Sequence, residues 1–509
     1  MRTMARMTPL VFLLLLPDAA WSEERNRFAD VLALQEAIHQ SIERAEPSIA
    51  CVLVSRSDKY QPHTPTHTET PGKLGRFDLR GARAGFTDRD PEWKAIGNLD
   101  LSNPNVVPES YGSGVVLDEK EGLILTLAHV VRKAVKIYVR LPGNRGSWAD
   151  IHAADPRSDL AVLRLLDPPH NLKALKLGDG GKLRKGDFLL SLSNPFAAGF
   201  RDGSPSASWG IVSNLRRRST GMLSEIDRGE RRSQLPLHCF GTLVQTDTRL
   251  NLGCSGGALL NLQGELVGLT SALAGISGGE TPGGFAMPLD PGLRRIIDVL
   301  RRGEEVEYGF LGVYLRAPDQ MPDGFVQIDG VVPEGPAARG SLRSGMRSEG
   351  GDFILSINGT PVHNNDDLFL VVGMHLAGST VRIEAASRPN GPRRTCTVTL
   401  AKYPVAGQII ASKRPPARGG LRVDWTSTLS MRWRNLRKIP EGVVIREVVP
   451  NSAADKARLQ PDMIIKSVND HKVMVPADFY RAMAKANGPV ELTLLTSDLR
   501  EERVTLDSK

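Results

Sequence analysis

At 509 residues the chain exceeds what one ordinary hydrophobic core serves, and about three domains are expected. Hydrophobic residues at 40% and charged residues at 24% are those of a soluble globular protein, while 50 Gly and 34 Pro favour short strands and turns over long helices. The +8 formal charge forms no basic stripe interleaved with aromatics, which make up 5% of the chain, so nucleic-acid binding is not expected.

Residues 1–22 read as an export signal. Arg2 and Arg6 give a basic start, Pro9 to Leu16 a short apolar run, and Ala20-Trp21-Ser22 small residues at the −3 and −1 positions of a cleavage site. The apolar run falls well short of the roughly 20 residues that span a bilayer, so no stable membrane anchor is expected. The mature chain then starts near Glu23 in the periplasm or another exported location. Residues 23–48 form an N-terminal helical segment, in which Val31, Leu34, Ile38 and Ile42 recur at helical spacing and Pro47 marks the stop. A strand over 48–55 leads into a polar, aperiodic stretch, 56–110, read as a long loop.

From Gly112 the text changes to apolar runs of four to seven residues, punctuated by Gly, Pro, Asn and Asp. Strands are predicted over 113–118, 122–128, 135–141, 160–166, 187–193, 243–247, 256–261 and 264–273, a pattern of all-β barrel or sandwich. A basic insertion, 215–240, interrupts it with Arg216-Arg217-Arg218 and later Arg228, Arg231 and Arg232. A helix from Pro291 to Arg302 closes this domain, 49–304.

An approximate repeat follows. One copy (305–403) has GFVQIDGVVPEGPAARGSL from Gly324, and the other (417–509) has GVVIREVVPNSAADKARL from Gly442. Both run strand, turn, short helix, strand, turn, strand, helix, and 404–416 reads as the linker between them.

The four cysteines, Cys51, Cys239, Cys254 and Cys396, show no CxxC spacing, so no structural metal is expected; a disulfide remains open and sequence does not pair it. Nucleophilic chemistry by a hydroxyl needs a base, a carboxylate to fix the base's tautomer, and donors aimed at the oxyanion. Ser255 lies in Gly253-Cys254-Ser255-Gly256-Gly257, where glycines let the turn bare its hydroxyl and aim the N–H groups of Gly253 and Ser255 at one point. His129 follows the apolar strand Leu123–Leu125, and Asp159 precedes another, where its carboxylate is expected to be partly buried and paired. Cys254 is a competing nucleophile, but Ser255 is the residue that precedes the Gly-Gly pair.

The His–Asp–Ser order resembles the trypsin-like peptidases, and more narrowly the HtrA/Deg family. The phrases that carry the resemblance are GSGVVLD (112–118), TLAHVV (126–131), DPRSDLAVLRL (155–165), GCSGGALLNLQGELVGL (253–269), LSNPF (192–196) and GGFAMP (283–288). The repeats resemble that family's PDZ modules. The fold class implied is mainly β: a trypsin-like double β-barrel followed by two α+β PDZ domains. The resemblance implies His129 as general base and acid, Asp159 as its orienter, Ser255 as nucleophile, and the backbone of Gly253 and Ser255 as oxyanion hole. Leu269, Thr270, Ser271, Ala272 and Leu273 would pair with substrate as an added strand. It implies no metal and no cofactor, unfolded or misfolded proteins as substrates, peptide C-termini as module ligands, and a homotrimer.

Three departures stand out. Cys254 replaces the family's usual Asn or Asp, Ser344–Gly350 lengthens a turn of the first repeat, and the 215–240 insertion is longer than usual. A carboxylate-capturing loop fits Phe310, Leu311, Gly312 and Val313 in the first repeat; Gly420, Leu421, Arg422 and Val423 match it less well in the second. The rival from another class is a catalytically silent PDZ scaffold or chaperone-like binding protein.

Overall fold

The computed structural model describes residues 19–56, 100–106, 108–218, 236–271, 284–317, 324–345, 351–429, 438–496 and 500–506, with side chains from residue 28 onward. Most of the expected signal (1–18) and of the long loop (57–99 and 107) lies outside the described residues. So do 219–235 of the basic insertion and 346–350 of the lengthened turn.

Strands β1 (Ile49–Ser55), β2 (Ser110–Asp118), β3 (Leu123–Leu127), β4 (Lys136–Leu141), β5 (Arg145–Asp155) and β6 (Leu160–Leu165) pair antiparallel in the order β5-β4-β1-β2-β3-β6, and β5 also pairs with β6. That closes a first barrel. Strands β7 (Phe188–Ser193), β8 (Ser206–Arg217), β9 (Leu243–Thr246), β10 (Ala258–Leu260), β11 (Leu266–Ser271) and β12 (Gly284–Pro288) close a second, in the order β10-β11-β12-β9-β8-β7. Closure removes the exposed edges that sheets this size would otherwise present. One apolar core runs through both barrels, from Val115 and Leu125 to Leu192 and Leu269, and on to Leu293 of the closing helix Pro291–Arg301.

That helix is specified by its ends: Asp290 accepts the Leu293 amide as N-cap, and Pro291 fills the first turn. The N-terminal helix reaches further back than its periodicity suggests, over Ala19–Ala45. Ser41 anchors its C-terminal part to the Leu262 carbonyl of the β10–β11 turn. Among the described residues no helix is long and apolar enough to cross a membrane. The four cysteines are buried, with no disulfide between them.

Each repeat forms a sheet with short helices. Strand Val313–Leu315 is the edge of the first, with helix Asn365–Gly373 in that module; strand Leu421–Trp425 is the edge of the second, with helix Pro476–Lys485. The first helix packs on the barrels: Arg216 pairs with Asp367 at 2.6 Å, Arg218 pairs with Asp366, and Phe240 stacks on Phe369. β8 therefore runs into the expected insertion as far as Arg217, because its basic end has carboxylates to meet. A buried ionic cluster joins the modules. Lys402 Nζ meets Asp424 at 2.9 Å and Glu305 at 2.7 Å, and Arg446 bridges the same two carboxylates at 3.1 and 2.7 Å.

The expected linker is more than a tether. Its residues Ile410–Ala411 pair with Ala154 and Ala153 of β5 as a seventh strand on the first barrel. They do so because β4 covers only Arg145–Trp148 of β5, leaving the later half's backbone to be satisfied by another partner. The Ser412 amide then donates to the His152 carbonyl at 3.0 Å, and the Lys413 amide to the Gly303 carbonyl at 2.8 Å.

Candidate active site

His129 stands on the helical turn Ala128–Val131 that directly follows β3. Asp159 ends the turn from β5 into β6, with φ of 57°, a left-handed conformation uncommon for a residue other than Gly. The two meet twice: His129 Nδ1 lies 2.7 Å from Asp159 Oδ2, and the His129 amide donates to Oδ1 at 2.9 Å. The Asp159 carbonyl in turn accepts the Ala128 amide at 2.8 Å. This double grip fixes the ring's rotation and puts a proton on Nδ1, which leaves Nε2 with a lone pair. Burial pushes the Asp159 carboxyl up, but the charge and hydrogen bonds of His129, with a smaller part from His238, more than offset it, so its pKa lies below the ordinary carboxylate value. His238 itself is buried, and burial holds its imidazole below the usual pKa.

Ser255 lies between β9 and β10 of the second barrel, on a loop clamped carbonyl by carbonyl. Leu252 C=O accepts the Phe196 amide at 2.7 Å, and Gly253 C=O accepts Ser113 Oγ–H at 2.8 Å. Cys254 C=O accepts the Gly257 amide at 2.9 Å and the Thr270 hydroxyl, and Ser255 C=O accepts the Ser113 amide at 2.8 Å. A trans peptide points its N–H opposite the carbonyl of the preceding residue, so the bonds to the Leu252 and Cys254 carbonyls set the directions of the Gly253 and Ser255 N–H groups. Gly253 is required here: its φ is 95°, and a Cβ would stand 2.5 Å from the Asn194 carbonyl and 2.9 Å from the Tyr111 ring. Gly112, at the start of the first barrel's β2, brings the two halves together. A Cβ there would touch Val130 at 2.6 Å on the His129 turn and the Ser255 carbonyl at 3.2 Å on the other side.

Cys254 is 1% exposed, and its Sγ accepts the Asn251 amide at 3.3 Å. Burial, the largest cause, raises its pKa, partly offset by hydrogen bonds from Ser193 and Asn251. It is thus a buried group that braces the loop.

Part of the expected substrate edge, 269–273, is already paired within the barrel. Leu269 pairs with both Ala258 and Met287, and Thr270 exchanges backbone hydrogen bonds with Gly256 and Gly257, so neither has a free side for another strand. Ser271 is the last described residue of β11, and Ala272 and Leu273 lie outside the described residues. In the first module Leu311 is buried under its sheet, Phe310 packs 6.2 Å from the Tyr403 ring, and Val313 opens the edge strand. In the second, the Leu421 amide already donates to the Arg418 carbonyl at 2.9 Å, and the Val423 amide points at Tyr480 Oη, 3.5 Å away. Ser113 and the Phe196 amide went unread as clamps because they act across long stretches of sequence, 140 positions for Ser113, although both lie in phrases of the resemblance; Thr270, read only as a substrate-pairing residue, reaches Cys254 across 16.

Residues 112–269 match the family model for the trypsin-like peptidase domain. With two closed barrels meeting at Gly112, between the turn of the His–Asp pair and a clamped serine loop, this defines a trypsin-like serine endopeptidase. A probable periplasmic serine endoprotease DegP-like of Halomonas elongata is 30% identical over 405 residues, 77% of this chain and 75% of that one. The periplasmic pH-dependent serine endoprotease DegQ of Escherichia coli is 31% identical over 411 residues, 79% and 82% of the two chains. A solved HtrA-type protease, AlgW with tripeptide, aligns over 75% of this chain and 99% of its own at 25% identity, with a TM-score of 0.47. The chain belongs to the HtrA/Deg family of serine endoproteases.

Proposed function

We propose that Ser255, His129 and Asp159 form the catalytic triad of this endopeptidase, and that its substrates are unfolded or damaged proteins of the periplasm. The observation that carries the reading is the two-point grip of Asp159 on His129, at 2.7 and 2.9 Å. In the forward step Ser255 Oγ attacks the scissile carbonyl while His129 Nε2 takes its proton. The oxyanion forms against the N–H groups of Gly253 and Ser255, and His129 then protonates the leaving amine. A water, deprotonated by the same imidazole, hydrolyses the acyl-enzyme. Asp159 stays ionised throughout and steadies the imidazolium.

The two repeats act as PDZ modules, and the first is the better suited to peptide C-termini, through Phe310–Val313 beside its edge strand. The second has committed the corresponding amide of Leu421 internally. Residues 1–22 act as a cleaved export signal, the chain assembles as a homotrimer, and its role is protein quality control.

The test is fluorophosphonate labelling alongside digestion of unfolded casein. Both should occur in the native protein and vanish in Ser255→Ala. Equal digestion by Ser255→Ala would place the chemistry elsewhere, and peptide binding with neither labelling nor digestion would favour the silent scaffold.

A further inference from the structure

The turn that carries Asp159 is short, buried and strained, and several of the residues that hold it come from outside the protease barrels. Asp155 ends β5, Arg157 and Ser158 follow, and Asp159 completes the turn at its left-handed φ of 57°. Such a conformation persists only where surroundings over-determine it. Within the turn, Ser158 donates its amide to Asp155 at 2.8 Å, and its hydroxyl to the same oxygen. From beyond the closing helix, Tyr308 donates its hydroxyl to that Asp155 carboxylate. The Arg157 guanidinium lies 3.9 Å from the centre of the Tyr403 ring and 5.4 Å from that of Tyr308, and Arg157 is 4% exposed. The Tyr403 amide donates to the Tyr308 carbonyl at 2.7 Å, so the two aromatics form one unit at the base of the first module. The Leu237 amide donates to the Arg157 carbonyl at 2.7 Å, and Gly407 of the connector lies against Pro156.

A guanidinium this deep loses its water, and the two ring faces supply part of what water gave. Its position is therefore bound to theirs. Since Arg157 is two residues from Asp159, a displacement at the rings passes through a chain segment with little freedom to absorb it.

We infer that Tyr308, Arg157 and Tyr403 are positioning residues for catalysis: the base of the first module holds the Asp159 turn, and with it the His129 ring, in working geometry. This rests on the triad reading above. None of the three touches the reacting atoms; they act through Asp159.

The experiment uses the full-length chain, with rates normalised to active sites titrated by fluorophosphonate. Arg157→Met is expected to lower kcat about ten-fold or more, with KM within about twofold, because a small misplacement of a catalytic group costs rate more than binding. Tyr403→Leu should behave alike. Tyr403→Phe keeps the ring under the guanidinium and should restore kcat to within about twofold of wild type. Tyr308→Phe keeps its ring but loses the donor to Asp155, and should lower kcat several-fold. Should Arg157→Met fail to fold, Arg157→Lys decides, since it keeps the charge and loses the planar stack; a several-fold fall in kcat is expected. Variants that melt lower yet keep kcat per titrated site would overturn the inference and leave a purely structural role. Asp159→Asn run in parallel separates the two readings: if it retains full kcat, the triad assignment falls; if it collapses while Arg157 and Tyr403 variants do not, only this inference does.

Discussion

Asp159→Asn changes little volume and tests the chemistry most directly. In the native site Oδ1 accepts the His129 amide at 2.9 Å while Oδ2 faces Nδ1 at 2.7 Å. Asparagine keeps only one acceptor oxygen. If that oxygen stays with the backbone amide, the NH2 group confronts Nδ1, which must then accept, and the ring proton moves to Nε2. A protonated Nε2 cannot take the Ser255 proton, and the imidazolium loses its anionic neighbour as well. Together these should cost about 10⁴-fold in kcat, which is about 5.4 kcal/mol at roughly 1.36 kcal/mol per decade. The assay is initial velocity on a quenched fluorescent peptide, with KM determined separately and folding checked by thermal melt. A folded variant whose kcat stays within ten-fold of wild type would refute the reasoning.

Gly253→Ala should lower kcat about 10²–10³-fold by displacing one oxyanion donor, with the clash against Asn194 and Tyr111 as cause; steady-state kinetics that show only a KM change would count against it. Cys254→Ala is expected to retain activity within a few-fold, and Cys254 in the folded enzyme should resist iodoacetamide, since the thiol is buried and its pKa raised; mass spectrometry of the alkylated peptide reads this out. Acid should destabilise the fold in a particular way. Burial pushes Asp118 up, but the amides of Glu121 and Lys120 and the Arg301 guanidinium outweigh it, so Asp118, like Asp159, sits below its ordinary 3.8. A depressed folded pKa means stability that is whole above pH about 4 and lost as pH falls through the lowered value. Asp155, which burial raises, has the opposite sign and offsets part of it. Urea midpoints from pH 6 to pH 3 should fall, and should fall less in Asp118→Asn.

The His–Asp–Ser order was legible in the sequence because each of the three residues sits beside a local signal: glycines around Ser255, an apolar strand before His129, another after Asp159. The mainly β class was legible for the same reason, in compact apolar runs. Three barrel strands were not: β5, β8 and β12, the last appearing only inside the GGFAMP phrase of the resemblance. β5 breaks its apolar pattern with half-buried Arg145, exposed Asp150 and buried His152, and is held by partners on both sides of its second half, one of them more than 250 residues away. β8 is largely exposed, with Ser206, Ala207 and Trp209 facing out, so no alternation marks it. The clamp on the Ser255 loop was invisible because Ser113 and Thr270 look like ordinary strand residues until two barrels meet. The pairing of the expected substrate edge was not legible, since Leu269 and Thr270 read identically whether they face a peptide or, as here, Ala258 and Met287 around Leu269 and the Gly256–Gly257 turn beside Thr270.

The pairing of Ile410–Ala411 with β5, and of Lys413 with Gly303, gives the chain an unusual itinerary. It leaves the second barrel after the closing helix, builds the first module, returns to the first barrel, and only then departs for the second module. The first module is thereby an insertion whose entrance and exit touch, and Arg216–Asp367, Arg218–Asp366 and the Phe240–Phe369 stack tie its far side to the barrels as well. A load placed on the module is therefore carried at several points into the body that bears Ser255.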